Sequence, residues 1–343
     1  MINVFVTGEE GTIPRAMRVI PSNCHIVNGG YLKYEHWKTH QSFQARRREI
    51  DFLNRELLFD LFSKHSDEID VVIHSGAYVG TDFCDSDSVK AIETNNIGTQ
   101  NIIDICNNFK KPLVLISTTA IFDPSKYSSS SPIDENTLIN PQTLYGVTKY
   151  FSELQVERQI KGKYFILRPV FGFGDYPDDL HSALTKVIYT LYKNYTGTEQ
   201  TLELKLAPFN QKSYIRVENI ANVILKFAER IMEPKGHFFK HYNIGKNYSY
   251  ARDWHEMIDV VANCFGNYEA PDHPGHSIDA DVIMETFKRQ IIFDADADYL
   301  GWHNINDSSI SRLKIEQLIS FEEGVRKTVN SVIQNINVEP YWI

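Results

Sequence analysis

Five residues, Tyr145-Gly-Val-Thr-Lys149, carry the sharpest chemical signal in the sequence. On a helix, positions i and i+4 share a face, which sets the Lys149 ammonium beside the Tyr145 phenol. A phenol with an ordinary pKa of about 10 is a poor base at neutral pH. A neighbouring cation favours the phenolate, so the pair is expected to exchange a proton near neutrality. Upstream, the apolar run 113–117 leads into Ser117-Thr118-Thr119-Ala120-Ile121-Phe122. Hydroxyls at the C-terminal end of such a strand would stand at a ligand-binding edge, beside Tyr145.

A second constellation suits an anion. Thr7-Gly8-Glu9-Glu10-Gly11-Thr12-Ile13-Pro14 follows the first apolar run and precedes a helical pattern. Gly8 and Gly11 would allow a tight turn and the close approach of a pyrophosphate. The first N–H groups of the helix, at Thr12 and Ile13, would face it. Pro14 stands where a third small residue is usual, and proline is tolerated in a first helical turn. A site for NAD commonly carries an acidic residue at the end of the second strand. Here that position is Asn28, whose amide can bond a ribose hydroxyl without repelling a 2′-phosphate. Arg15, Lys33 and the run Arg46-Arg47-Arg48 could neutralise such a phosphate, although the run also reads as a solvated helix start. The implied cofactor is NAD or NADP, with a lean to NADP.

These residues need a scaffold that brings them to one edge. Residues 3–7, 25–28, 71–74, 113–117 and 164–168 are short apolar runs, expected as buried parallel strands. Amphipathic stretches at 52–63, 89–107 and 144–159 lie between them. The alternation predicts an α/β fold, a doubly wound parallel sheet. Past residue 172 the order is less regular. Helical stretches at 182–193, 217–231 and 252–265 mix with strand candidates at 201–206 and 241–244, as expected for a smaller lobe. His74-Ser75-Gly76-Ala77 ends one strand with small residues that let a dinucleotide approach. Asn96-Ile-Gly98-Thr99 falls within the next helix, where a glycine costs stability unless close packing needs it.

Composition narrows the partners. The 343 residues carry 35 Lys+Arg against 44 Asp+Glu, a net charge of −9, which argues against nucleic acid and anionic membranes. No run of 18 apolar residues suggests a membrane span, and MINVFVTGEEG does not read as a signal peptide. Cys24, Cys84, Cys106 and Cys264 are scattered, so free thiols and a cytoplasmic location are expected, with no metal site. The segment Tyr127-Ser-Ser-Ser-Ser-Pro132 reads as a surface loop.

Taken together, the chain resembles the extended short-chain dehydrogenase/reductase superfamily, in its nucleotide-sugar epimerase and reductase branch. The resemblance spans nearly the whole length. It rests on TGxxG at 7–11, HSGA at 74–77, NIGT at 96–99, STTAIF at 117–122 and NPxxxYGxxK at 140–149. It continues in RPVFGFG at 168–174, SYIRVENIA at 213–221, YNIG at 242–245 and LGW at 300–302. It implies a Rossmann domain over about 1–172 and a mainly substrate-binding α/β lobe over 173–343. Segments at about 213–245 and 288–296 would return to the first domain.

By the same resemblance, Tyr145 is the general acid/base, Lys149 tunes it and binds the nicotinamide ribose, and Thr118 bonds the reacting sugar oxygen. Gly8, Gly11, Thr12, Ile13, Asn28, His74, Gly76, Ala77, Asn96 and Ser117 would hold the cofactor, with Pro169 and Val170 against the nicotinamide. Thr119, His181, Arg216 and Arg289 are the substrate-binding candidates, the arginines for a nucleotide diphosphate. Dehydratases of this kind carry an Asp-Glu pair after the catalytic threonine. Thr119 and Ala120 offer no carboxylate. The expectation is therefore a nucleotide-sugar 4-epimerase, with a 4-keto-sugar reductase next and a non-catalytic dinucleotide sensor third. A homodimer through the helices at 89–107 and 144–159 is also implied, and Trp302 is expected to be core.

Overall fold

The fold is that of a computed structural model. Described are residues 1–27, 38–40, 47–123, 125, 133–175, 182–196, 204–206, 212–234, 241–245, 249–252, 254–266, 268, 281–282, 284–285, 291–293, 314–315 and 317–335. For 38–40, 47–49, 204–206, 249–252 and 291–293 only the backbone is considered. Asn28, Lys33, Arg46, the 127–132 loop, His181, Arg289 and Trp302 lie outside the described residues, or do so in their side chains.

The strands, in chain order, are β1 (Ile2–Thr7), β2 (Cys24–Ile26), β3 (Lys38–His40), β4 (Arg47–Glu49), β5 (Val71–His74), β6 (Leu113–Ile116) and β7 (Tyr164–Pro169). There follow β8 (Phe171–Phe173), β9 (Leu204–Leu206), β10 (Lys212–Arg216), β11 (His241–Ile244), β12 (Ser249–Arg252) and β13 (Ile291–Phe293). The first helices are α1 (Thr12–Met17), α2 (Arg55–His65), α3 (Thr81–Ser86), α4 (Ser88–Ile92), a π-helical segment Glu93–Ile97 and α5 (Gly98–Asn108). The later ones are α6 (Leu144–Gln159), α7 (Ala183–Thr196), α8 (Val217–Ile231), α9 (Trp254–Gly266) and α10 (Phe321–Asn335).

Six strands form a parallel sheet in the order β2-β1-β5-β6-β7-β11. Side chains alternate between its faces with period two. Val4, Val6, Val71, Ile73, Val114, Ile116, Phe165 and Leu167 pack with α1 and α8. Phe5, Val72, Leu113, Leu115 and Ile166 pack with α2, α5 and α6. Both faces are covered, which is why these strands read as unbroken apolar runs. Each such side chain contributes about 1.5–3 kcal/mol by leaving water.

The smaller lobe has its own sheet, β12-β10-β8, and a core of Phe173, Leu184, Ile188, Tyr214, Trp254, Val261, Phe321 and Val325. The returning stretch 213–245 is divided. Residues 213–216 stay in the small sheet as part of β10, whereas α8 and β11 belong to the main one. Of the 288–296 segment, the described residues 291–293 form β13, which pairs in parallel with β9 in a separate two-stranded sheet. Arg47 and Arg48, compatible with a helix start, lie in β4, an antiparallel partner of β3. The helix expected from residue 52 starts at Arg55, because the Asn54 side chain accepts the Leu57 N–H and caps it. Among the described residues no helix is long and apolar enough to cross a membrane. The four cysteines are free thiols.

Candidate active site

A parallel sheet ends all its strands on one edge, and its order reverses at β1, between β2 and β5. That crevice is where open α/β sheets take ligands. Gly8 turns there with φ of +66°, in the left-handed region that favours glycine. A Cβ on Gly8 would lie 2.5 Å from the Gly76 Cα, so the two loops touch through bare backbone. Gly11 closes the turn by donating its N–H to the Gly8 carbonyl at 2.9 Å. Gly8, Gly11, Thr12, Ile13 and Ala77 are all partly exposed along this lip.

Two features of the loop depart from an ordinary phosphate site. Glu9 is buried and its carboxylate pairs with Arg18, which neutralises it away from the lip. Pro14 is the third residue of α1, where its missing N–H removes no helical bond. The helix has only six residues, so anion binding here rests on the N–H groups of the loop itself.

His74, expected along the cofactor groove, takes part in a buried network. Its ring is buried, with Nδ1 2.6 Å from Thr7 Oγ1 and Nε2 3.1 Å from Thr99 Oγ1. Thr99 donates to the Asn95 carbonyl at 2.6 Å, so the network assigns the ring proton to Nε2. His74 therefore ties β1, β5 and α5 together beneath the crevice, and burial pushes its pKa down to about 3. The unfolded chain takes a proton near pH 6.5 while the folded ring does not. Stability is thus full above pH 6.5 and falls as the pH drops toward 3. At pH 5 the loss is about 2 kcal/mol. Urea unfolding at pH 7.5 and 5 checks this; His74→Gln should flatten the slope.

Asn96, expected to help position the cofactor, donates from its amide to the Thr148 carbonyl at 2.8 Å and the Ser152 hydroxyl at 3.2 Å, both on α6. The neighbouring Asn95, which sequence reasoning passed over, reaches further. It accepts the Tyr78 N–H at 2.7 Å and donates to the Tyr78 carbonyl and to Thr148 Oγ1. Thr148 in turn donates to the Tyr145 carbonyl at 2.9 Å. Both asparagines lie in the π-helical segment, whose wider turn directs successive side chains toward α6. Nearby, the Phe52 ring lies against Gly76 and Gly98, the close packing that the mid-helix glycine requires.

Helix α6 presents the reactive pair. Thr143 caps it by accepting the Gly146 N–H. A Cβ on Gly146 would overlap the Ala120 carbonyl oxygen, so this glycine lets α6 settle on the 3-10 turn Thr119–Ile121. Thr118 caps that turn by accepting the Ala120 N–H at 3.1 Å and faces the Tyr145 phenol. Lys149 is buried and donates from Nζ to the Ile116 carbonyl at 2.7 Å. Burial pushes the Tyr145 phenol above its usual range, with Cys84 adding to it and Thr118 working against it. Burial also lowers Lys149 to about 8. Desolvation disfavours both charged forms, the phenolate of Tyr145 and the ammonium of Lys149.

The remaining candidates separate. Ser117 is buried at the end of β6, and its hydroxyl has no partner among the described residues. Pro169 and Val170 are buried at the adjoining end of β7. Thr119, expected at the substrate, is buried and lies 3.5 Å from the Pro169 carbonyl, so it supports the turn. Arg216, expected to anchor a diphosphate, is buried and saturated. It pairs with Glu218 and Asp175 and donates to Thr328 and the Gly324 carbonyl. Among the described residues no cluster could hold a metal. The bare Gly8–Gly76 contact and the orphan Ser117 hydroxyl fit a dinucleotide laid across the crevice.

Known proteins show the same arrangement of elements. A family model described as the RmlD substrate binding domain matches residues 29–282. A dTDP-D-glucose 4,6-dehydratase of Dictyostelium discoideum is 26% identical over 326 residues, covering 85% of this chain and 70% of that protein. A probable low-salt glycan biosynthesis reductase of Haloferax volcanii is 26% identical over 171 residues, 50% of this chain and 53% of that protein. The structure of RMD from Pseudomonas aeruginosa complexed with NADPH has a TM-score of 0.71 at 14% identity. It matches 97% of this chain and 100% of that one, a likeness of fold.

Proposed function

The chain belongs to the family of the RmlD substrate binding domain, and from that premise we propose that it reduces a 4-keto nucleotide-diphosphate sugar with NADPH. The observation that carries this reading is the family match over residues 29–282, with a probable reductase among the relatives and Tyr145, Thr118 and Lys149 on adjoining elements at the end of β6. Tyr145 is a phenol at neutral pH, and burial raises it further; a phenol is the proton donor that reduction needs. NADPH, when bound, would supply the hydride. Tyr145 gives its proton to the carbonyl oxygen as that oxygen gains negative charge. Lys149, still cationic below about pH 8, then stabilises the phenolate left behind. Gly8, Gly11, Thr12, Ile13, Gly76, Ala77 and Ser117 hold the dinucleotide, and Pro169 and Val170 back its nicotinamide. The neutral Asn28, in place of an acidic residue, and the basic Arg15 on α1 support NADPH over NADH.

The 4-epimerase reading, first on sequence, moves behind the reductase. Epimerisation would use the same Tyr145, Thr118 and Lys149, and it is the family match and the reductase relative that favour reduction. Dehydration fits poorly despite the 26% relative, since Thr119 and Ala120 carry no carboxylate. A sensor without catalysis would not need Tyr145, Thr118 and Lys149 together. A panel of nucleotide sugars with and without NADPH tests the assignment. NADPH oxidation only with a 4-keto sugar supports it; conversion of a UDP-sugar without added cofactor selects the epimerase instead.

A second copy of the chain fits one face. Val89, Ile92, Ile97, Val147 and Phe151, on α4, the π segment and α6, are 47% to 66% exposed. Such an apolar strip is unusual on a monomer. Sedimentation should find a dimer, and Phe151→Glu a monomer. A monomeric parent protein would overturn the pairing.

A further inference from the structure

Arg168 and Glu153 form an ion pair with both side chains buried. Arg168, on β7, donates from Nε to one Glu153 oxygen at 3.0 Å and from Nη2 to the other at 2.6 Å. The Phe122 ring closes another side, 5.5 Å from the guanidinium. Glu153 lies one turn beyond Lys149 on α6, and residues four apart on a helix are neighbours. Lys149 is as buried as they are, and its Nζ contact is the Ile116 carbonyl. A carbonyl is a partner but not a counter-charge. An ammonium taken out of water without an opposite charge reverts to the neutral amine.

We propose that Glu153, seated by Arg168, is the positioning residue that keeps the buried Lys149 cationic beside Tyr145. The proposal rests on the reading of Tyr145 and Lys149 as the reactive pair and deepens it. Two further groups face Lys149: Cys84 from α3, whose thiol burial pushes up to about 11 and so keeps neutral where Lys149 titrates, and neutral His74 from β5. Stability alone does not account for the pair, because apolar replacements of a buried ion pair are often neutral or better. Its position one turn from the lysine does.

The test is the Glu153→Gln/Arg168→Met double variant, which removes both charges and leaves neither partner buried alone. Lysine 13Cε NMR, with Lys149 assigned by Lys149→Met, reads its protonation directly. The parent protein should titrate at about 8. The double variant should titrate at least about one unit lower, a tenfold loss of proton affinity. An unchanged midpoint in the folded double variant overturns the proposal. Should that variant fail to fold, Glu153→Asp, which retracts the carboxylate, decides the matter by the same titration, a downward shift supporting and none refuting. NADPH binding followed by nicotinamide fluorescence tests the underlying reading separately. If the midpoint moves while Lys149→Met binds and reacts normally, the reactive-pair assignment fails and the role of Glu153 stands.

Discussion

Tyr145→Phe is expected to lower turnover of a 4-keto nucleotide sugar by roughly 10²-fold or more, the scale contributed by a positioned proton donor. NADPH affinity should be unchanged. The ring is retained, so its packing at the start of α6 survives, and only the O–H facing Thr118 is lost. The argument turns on timing. As hydride reaches the carbonyl carbon, negative charge collects on oxygen, and water is a poorer donor than a phenol already aimed at it. Thr118→Val should cost less, because it removes a partner and not the proton itself. Pre-steady-state measurement of NADPH oxidation separates the steps. A chemical step of unchanged rate in Tyr145→Phe would remove Tyr145 from the mechanism, whatever happened to binding.

What the sequence disclosed follows from periodicity and local chemistry. The strands at 71–74 and 164–169 announce themselves because a strand covered on both faces is apolar throughout. The bounds of α6 and α8 agree with the sequence-based ranges to the residue. For α6 the reason is local: Thr143 supplies a cap and α6 ends where the chain turns back toward β7. Side-chain partners were less legible. Asn95 and Asn96 look interchangeable in a string, and only the π-helical phase shows that Asn95 spans to Tyr78 while Asn96 stays on α6. His74 reads as a groove residue by position, yet the alternation of its strand turns the ring under the floor. Glu153 looks like an exposed helix carboxylate until β7 brings Arg168 across it. In each case the missing information is a contact between residues far apart in the chain.

Arg216 shows the same limit with the largest consequence for stability. From SYIRVEN it reads as a phosphate anchor, but it stands where β10 of the small sheet becomes α8 of the main one. Its Nε and Nη2 hold Glu218 at the start of α8, and Nη2 also meets Asp175 just beyond β8. Its Nη1 meets Thr328 and the Gly324 carbonyl on α10. One guanidinium therefore joins three elements at the crossing between lobes. Arg216→Met should leave Glu218, 14% exposed in its side chain, without its counter-charge. Breaking a buried pair from one side costs about 3–5 kcal/mol, a large share of the total stability of about 5–15 kcal/mol typical of a native protein. Asp175→Asn removes only the contact whose carboxylate is 49% exposed, and should cost no more than about 1 kcal/mol. Urea unfolding of the two variants distinguishes a staple from an anchor. Loss of stability in Arg216→Met identifies the staple; full stability with weakened nucleotide-sugar binding would restore Arg216 to the substrate.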